Sequence, residues 1–148
     1  IYSASKNLID LEKNKKIDQQ VNTVSLFWET VGENMDQWRG VRVGNLSAAE
    51  VRRDFIHTHV IILQALGHMG KDLLKQYPTN WKAKLKNLNK INWLKNNSVW
   101  QQRVIINGRV VKNNNSIILA SNVIKKALGI KLDTKEKALE SQVKKNGK

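Results

Sequence analysis

Residues 47–76 of the chain read SAAEVRRDFIHTHVIILQALGHMGKDLLKQ, and this stretch decides the fold class. Ser47 and Glu50 have the spacing of a capping box, in which the Ser hydroxyl accepts an early amide and the Glu side chain reaches back to the cap. The residues that follow are apolar on almost all sides of a helical wheel, and Pro78 disfavours helix at the residue before it. The pattern predicts one long, central and buried helix over residues 48–76.

Amphipathic helices are predicted on both sides of this central segment, from apolar spacing of three and four residues or from a capping side chain. They are expected over residues 1–11, 18–32, 79–89 and 121–129, the last with Ser121 or Asn122 as its cap. Asn107-Gly108 between β-branched runs predicts a small β-hairpin near residues 103–112. The fold class is therefore mainly α, a compact helical domain around the long central helix. We expect one domain over residues 1–132, taken from a longer protein, and a Lys-rich tail over residues 133–148.

The net charge of +14 is distributed unevenly along the chain. Residues 1–72 carry nine basic and nine acidic side chains, whereas residues 73–132 carry twelve basic side chains and no acidic one. An acid-free stretch of this kind is typical of proteins that release counterions from nucleic-acid phosphates. A basic face that is merely solvated is the plainer alternative. The distribution of charge favours nucleic acid, and DNA above all, as the partner.

Composition excludes several other classes of protein. The 41% hydrophobic content is that of a globular chain, and the absence of cysteine excludes disulfides and thiolate metal sites. No apolar run approaches the ~20 residues needed to cross a bilayer. The first residues also lack the pattern of a signal peptide. We therefore expect a cytoplasmic protein with no membrane partner.

One polar stripe crosses the predicted central helix, with Glu50, Arg53, Asp54 and His57 as its members. Asp54 and His57 are three residues apart, which allows a general acid–base pair. An Asp between an Arg and a His on a buried helix is more typical of a structural polar network, because buried charges require partners. His57 and His59 point in opposite directions on a helix, unlike the ligands of a zinc-binding helix. We expect no catalytic residue, no metal and no cofactor.

Cations and amides within the acid-free stretch make up the predicted nucleic-acid contact. Three tryptophans lie among them, but their helical spacing favours the core over base stacking. The helix that carries Lys125 and Lys126 resembles those that lie in a major groove, although the pattern favours phosphate contact over base reading. The predicted contact residues are Lys82, Lys86, Lys90, Arg103, Arg109, Lys112, Asn114, Asn122, Lys125 and Lys126.

Several segments together resemble one protein family. They are Phe27-Trp-Glu29, Val51-Arg-Arg-Asp-Phe-Ile-His57, Leu63-Gln-Ala-Leu-Gly67, Ile91-Asn-Trp-Leu94, and residues 100–108 with 114–125. In matching order they resemble the C-terminal part of DndB, the DGQHR-domain family of bacterial DNA sulfur modification (phosphorothioation). The resemblance implies a regulator that binds double-stranded DNA at the promoter of the modification genes and represses them. It also implies partner proteins that perform sulfur insertion.

The motif Asp-Gly-Gln-His-Arg is absent from this sequence and is expected upstream of it, so no activity that needs the motif is assigned to the chain. Three functions then compete: a DNA-binding regulatory domain, a scaffold that docks other proteins of the modification system, and an accessory domain of an enzyme with its active site upstream. The acid-free stretch favours the first, since a scaffold has no need for concentrated positive charge. A catalytic role would require Glu50, Asp54 and His57 to line an open pocket.

Overall fold

The computed structural model describes residues 2–11 and 13–146, and it confirms a mainly helical fold. Ile1 of the predicted first helix and residues 147–148 of the predicted tail lie outside the described residues. No helix in the described part of the chain is both long and apolar enough to cross a bilayer. The helices are α1 (Tyr2–Leu11), α2 (Ile17–Glu33), α3 (Asp36–Arg42), α4 (Ala48–Asp54), α5 (Val60–Gln76), α6 (Trp81–Leu85), α7 (Asn114–Leu128) and α8 (Thr134–Asn146), and the strands are β1 (Ile105–Ile106) and β2 (Arg109–Val110).

Helix α5 is the centre of the hydrophobic core and packs against both α1 and α7. Gly67 permits the closest approach, because a Cβ atom at this position would lie 1.7 Å from the backbone oxygen of Ala4 on α1. Gly70 makes room in the same way for the ring of Phe27 on α2. A larger residue would meet the α1 backbone at Gly67 and the Phe27 ring at Gly70, so these two glycines allow α1 and α2 to pack closely on α5.

The prediction of a single helix over residues 48–76 is wrong, because the structure interrupts it at Phe55. Phe55 and His59 have extended backbone conformations, and a 3₁₀ turn (Ile56–Thr58) lies between them. The Ile56 amide donates to the carbonyl of Trp93 at 2.9 Å, so a distant segment replaces the helical hydrogen bond. The short-range apolar pattern contained no sign of this pairing, which is why it predicted an uninterrupted helix.

Two other short-range signals are confirmed. The Ser47 hydroxyl accepts from the Glu50 amide at 3.5 Å and caps α4. Asn107 and Gly108 join β1 to β2 with φ angles of 52° and 74°, the positive values that a two-residue type I′ hairpin turn requires.

Helix α7 begins well before the predicted residues 121–129. Asn113 is its cap, since the Asn113 side chain accepts from the Ser116 amide at 2.8 Å. The predicted caps Ser121 and Asn122 therefore lie inside the helix. Gly129, with a φ of 75°, ends it as its position predicted. The run of asparagines that precedes Ser116 is the first turn of α7 rather than a loop.

The predicted Lys-rich tail is also wrong, because Thr134–Asn146 form helix α8 and pack against α7. Asp133 and Glu136 begin it with a reciprocal capping box: the Asp133 side chain accepts from the Glu136 amide at 2.8 Å, and the Glu136 side chain accepts from the Asp133 amide at 2.9 Å. Glu136 and Glu140 are buried against the domain. The lysines of this segment made it resemble a solvated tail, whereas its two glutamates bind it to the domain.

Candidate nucleic-acid interface

An open cleft of about 470 Å³ lies between the β1–β2 hairpin, the turn before it and the first turn of α7. We call it the hairpin–α7 cleft. Its lining contains one cation, four amide side chains and no acidic residue. The lining residues are Gln102, Arg103, Ile106, Asn113, Asn114, Asn115, Ser116 and Leu119. A surface with this set of donors suits an anionic or polar ligand.

Two further cations, Arg109 and Lys112, lie beside the cleft. Arg109 pairs with Ile106 across the hairpin. Side chains of directly opposite residues project from the same face of a sheet, so Arg109 projects on the cleft side with Ile106. Lys112 immediately precedes Asn113, the cap of α7. Both cations are exposed, as a phosphate contact requires.

The three tryptophans of the acid-free stretch support this surface from within. Trp81, Trp93 and Trp100 are 8%, 4% and 0% exposed, which confirms that they belong to the core and do not stack on bases. Trp93 and Trp100 stack with their ring centroids 5.5 Å apart, and the Trp100 indole donates to the Asn92 carbonyl at 2.8 Å. From Trp100 the chain turns through Gln102, whose φ is 62°, into the hairpin. The buried rings therefore position the hairpin and the cleft.

The Glu140 carboxylate of α8 lies behind the cleft and accepts four hydrogen bonds. Its donors are Arg103 Nη2 at 2.6 Å, Arg103 Nε at 3.3 Å, Lys126 Nζ at 3.0 Å and Asn122 Nδ2 at 3.4 Å. Burial by itself would raise the pKa of Glu140, but the hydrogen bonds and positive charges of Arg103 and Lys126 outweigh it, and the pKa is lowered. Three of the predicted nucleic-acid contacts thus converge on one internal carboxylate.

The prediction that Lys125 contacts nucleic acid is wrong. Its side chain is 1% exposed, and its ammonium is ion-paired with Asp72 of α5 and Glu136 of α8. Both acids lie outside the acid-free stretch, so only the folded chain brings them to the lysine. Asn122, one turn earlier, is 0% exposed and is likewise not available to an external ligand. Burying the Lys125 ammonium alone would cost free energy, and the carboxylates of Asp72 and Glu136 compensate its charge.

One group of side chains among the described residues could supply metal ligands. His68, Asp72 and Glu136 present ligand atoms that lie within 4.8 Å of one another. The Lys125 ammonium already binds both carboxylates, and a divalent cation would meet it at close range. Burial, and then the charge of Lys125, lowers the pKa of His68. We describe these four residues as the Lys125 cluster, in which an ammonium supplies the compensating positive charge.

The predicted contacts Lys82, Lys86 and Lys90, on α6 and the turn that follows it, are exposed, but acidic residues lie near two of them. Lys82 and Lys86 share a pocket with Glu29 and Glu33 of α2. A phosphate bound there would approach two carboxylates, which weakens its attraction to the lysines. Lys90 is exposed and does not line this pocket. Acidic and basic residues that are far apart in the sequence are therefore close together in space at α6.

The structure does not assemble the predicted polar network on α4 and α5. Arg53 and Asp54 form a bidentate pair at 2.8 and 2.9 Å, but both side chains are exposed. Hydrogen bonding to Arg53 lowers the pKa of Asp54. Glu50 is also exposed. The break at Phe55 separates these residues from His57, so the acid–base pair that the spacing allowed is absent.

His57 is instead a buried, neutral centre of the core. Its Nδ1 accepts from the Trp38 indole at 3.1 Å, and its Nε2 lies 3.0 Å from the Gln37 side-chain oxygen. The ring stacks on Phe55 with centroids 5.4 Å apart. Burial lowers the pKa of His57 to about 4. This arrangement joins α3 to the break between α4 and α5 and does not line an open pocket.

Comparison with known proteins identifies the family to which these residues belong. A family model described as DndB, DNA-sulfur modification-associated, matches residues 1–131, which confirms the resemblance seen in the sequence. The matched region contains the hairpin–α7 cleft and ends before α8. No curated protein and no solved structure matches the chain.

Proposed function

The chain belongs to the DndB family of DNA-sulfur modification-associated proteins, and from this premise we propose that it is a DNA-binding regulatory domain. In this proposal double-stranded DNA binds at the hairpin–α7 cleft. The single observation that carries the proposal is the composition of that cleft, which has amide side chains and Arg103 in its lining, Arg109 and Lys112 beside it, and no acid in its lining. Guanidinium, ammonium and amide groups are the donors that proteins use toward phosphate oxygens and base edges.

The regulatory part of the proposal is repression of the modification genes in the cytoplasm. The domain would occupy promoter DNA while other proteins of the system insert sulfur. We assign it no catalytic step. The family supports the link to DNA sulfur modification, and the open cation-bearing cleft supports direct contact with DNA.

The first test is binding of the chain to a labelled promoter duplex and to a scrambled duplex across a salt series from about 50 to 200 mM. We expect affinity to fall steeply with salt, since phosphate contacts release counterions. A preference for the promoter duplex would place sequence reading in this domain. The absence of binding at the lowest salt would contradict the proposal.

A second test locates the contact. Arg109→Glu combined with Lys112→Glu should weaken duplex binding by at least about tenfold and reduce the salt slope by roughly 0.9 for each phosphate contact removed. Lys13→Glu combined with Lys16→Glu is the matched control, because it makes the same change of charge at exposed positions of the neutral half. Equal weakening by the two pairs would show that net charge, and not the cleft, governs binding.

A scaffold for partner proteins is the second candidate, and one apolar groove favours it. The groove, about 460 Å³ in volume, lies among α1, α2, α3 and α5 and includes Trp28 and Trp38. Val21 of α2 is 56% exposed. Apolar surfaces of this kind mark protein interaction sites. Ser25 lines the groove and is exposed, so Ser25→Glu tests it. Under the DNA-binding proposal Ser25→Glu leaves duplex affinity unchanged. A scaffold would instead lose partner binding with Ser25→Glu and retain it in the Arg109 and Lys112 variants.

A further inference from the structure

An oxyanion site already exists behind the hairpin–α7 cleft, and a side chain of the protein occupies it. Arg103 holds the Glu140 carboxylate through Nη2 and Nε, and Lys126 binds the same carboxylate. This fork of two guanidinium donors is also the geometry in which arginine binds phosphate. Arg103 lines the cleft and is 15% exposed, and Lys126 is 50% exposed. Arg103 is therefore within reach of a ligand in the cleft, and the Lys126 ammonium, which shares the Glu140 carboxylate with it, is open to solvent.

Helix α8, which carries Glu140, has no fully buried apolar side chain among its described residues. Among its described side chains Glu136 and Glu140 are buried, while Leu139 and Val143 are not fully buried. Helices in proteins derive most of their stability from a packed apolar face, and α8 lacks one. Its attachment therefore depends on two carboxylates, Glu136 in the Lys125 cluster and Glu140 behind the cleft. The second of these faces cations that a polyanion can reach.

We propose that Arg103 and Lys126 form a phosphate site, and that Glu140 is an internal competitor that occupies it until DNA binds. A backbone phosphate of the duplex takes the place of the Glu140 carboxylate, so one oxyanion replaces another. The C-terminal half of α8 then separates from the domain, while Glu136 keeps the N-terminal half attached. This inference rests on the proposed DNA-binding function and adds its regulation: the affinity of the cleft for DNA depends on how readily Glu140 leaves.

The decisive variant is Glu140→Gln in the full chain. It removes the competing charge and frees Arg103 and Lys126, so duplex binding should become about tenfold tighter, with a salt slope steeper by roughly 0.9 for each additional phosphate that the protein neutralises. Glu50→Gln is the matched control, because it removes the same charge at an exposed position of α4 that does not line the cleft and leaves both attachments of α8 intact. The control should not bind DNA more tightly.

A further variant assigns the tighter binding to the proposed site. Adding Lys126→Ala to Glu140→Gln should return the affinity toward that of the wild type. Thermal melting of each variant establishes a temperature at which all are folded. If Glu140→Gln does not remain folded, Glu140→Asp takes its place, and its shorter side chain should give a smaller increase in affinity.

The outcomes separate this inference from the proposed function. Wild-type binding without any increase in Glu140→Gln overturns the inference and leaves the proposed function standing. No binding by either protein at the lowest salt overturns both. Binding by Glu140→Gln alone, or tighter binding by it than by the wild type, supports the inference when Glu50→Gln shows no increase; an equal increase in Glu50→Gln overturns it, because net charge would then explain the effect.

Discussion

Glu136 and Glu140 are one turn apart on α8 and are almost equally buried, at 4% and 5% exposed, yet their surroundings differ. Glu136 pairs with Lys125, which is 1% exposed, whereas Glu140 pairs with Lys126, which is 50% exposed. A pair that is buried on both sides cannot exchange a partner with an external ligand. A pair whose cation reaches solvent can do so. The burial of the cation therefore determines whether such a pair is a structural anchor or a replaceable contact.

The largest expected effect tests the anchor. Lys125→Met leaves Asp72 and Glu136 facing each other without a cation, and removing one partner of a buried pair costs about 3–5 kcal/mol of unfolding free energy. Urea unfolding measures this loss, and the folded protein should bind duplex DNA at least as tightly as the wild type does, because Lys125 makes no DNA contact. A loss of duplex affinity in the folded variant would contradict the assignment of Lys125 as a structural anchor, because Lys125 would then act as a DNA contact.

A double variant tests whether the stability lost in Lys125→Met reflects the interaction between Lys125 and Glu136. Adding Glu136→Gln to Lys125→Met removes one of the two unpaired carboxylates, so the double variant should be more stable than the sum of the two single losses. Strict additivity would mean that Lys125 and Glu136 do not interact in the folded protein.

The next largest expected effect is a dependence of stability on pH, which arises from His57. Unlike the carboxylates of α8, this buried side chain is uncharged. Its folded pKa of about 4 is below the ordinary value of 6.5, so the unfolded chain takes up the proton first as the pH falls. The difference between these two pKa values stabilises the folded state. The full stabilisation is present above about pH 6.5 and is lost as the pH falls toward 4. His59 and His68, whose pKa values are also lowered, act in the same direction.

Unfolding free energies measured from about pH 7 to pH 4.5 should therefore decrease by on the order of 2 kcal/mol for the His57 contribution. Glu140 remains ionised in this interval, because its pKa is lowered from 4.5, so the slope does not report the loss of its ion pairs. The His57→Gln variant should have a flatter pH profile. An unchanged profile in that variant would contradict a neutral, buried His57.

The smallest effect belongs to an ion pair that is exposed on both sides. Arg53 and Asp54 form good hydrogen bonds, but solvent screens them, and pairs of this kind contribute little to stability. Arg53→Ala should leave the melting temperature nearly unchanged. A marked decrease in melting temperature would show that good hydrogen-bond geometry can stabilise an ion pair despite solvent exposure. The distinction drawn between Glu136 and Glu140 would then be contradicted.

Local chemistry made several features of the fold predictable. The cap at Ser47, the turn at Asn107-Gly108 and the helix end at Gly129 depend on side chains and φ angles within a few residues, and all three are confirmed. The burial of the tryptophans followed from apolar spacing. The break at Phe55 was not predictable in this way, because hydrogen bonds to a segment almost forty positions further along the chain stabilise it.

The helical class, the hairpin, the basic composition and the family could all be inferred from the order of the residues alone. Which cations are available to a ligand became evident only from the folded chain. Asp72 reaches Lys125 from α5, and Glu136 and Glu140 reach Lys125, Lys126 and Arg103 from α8. The physical reason is that charge compensation depends on distance in space and on burial, and the order of residues along a chain specifies neither.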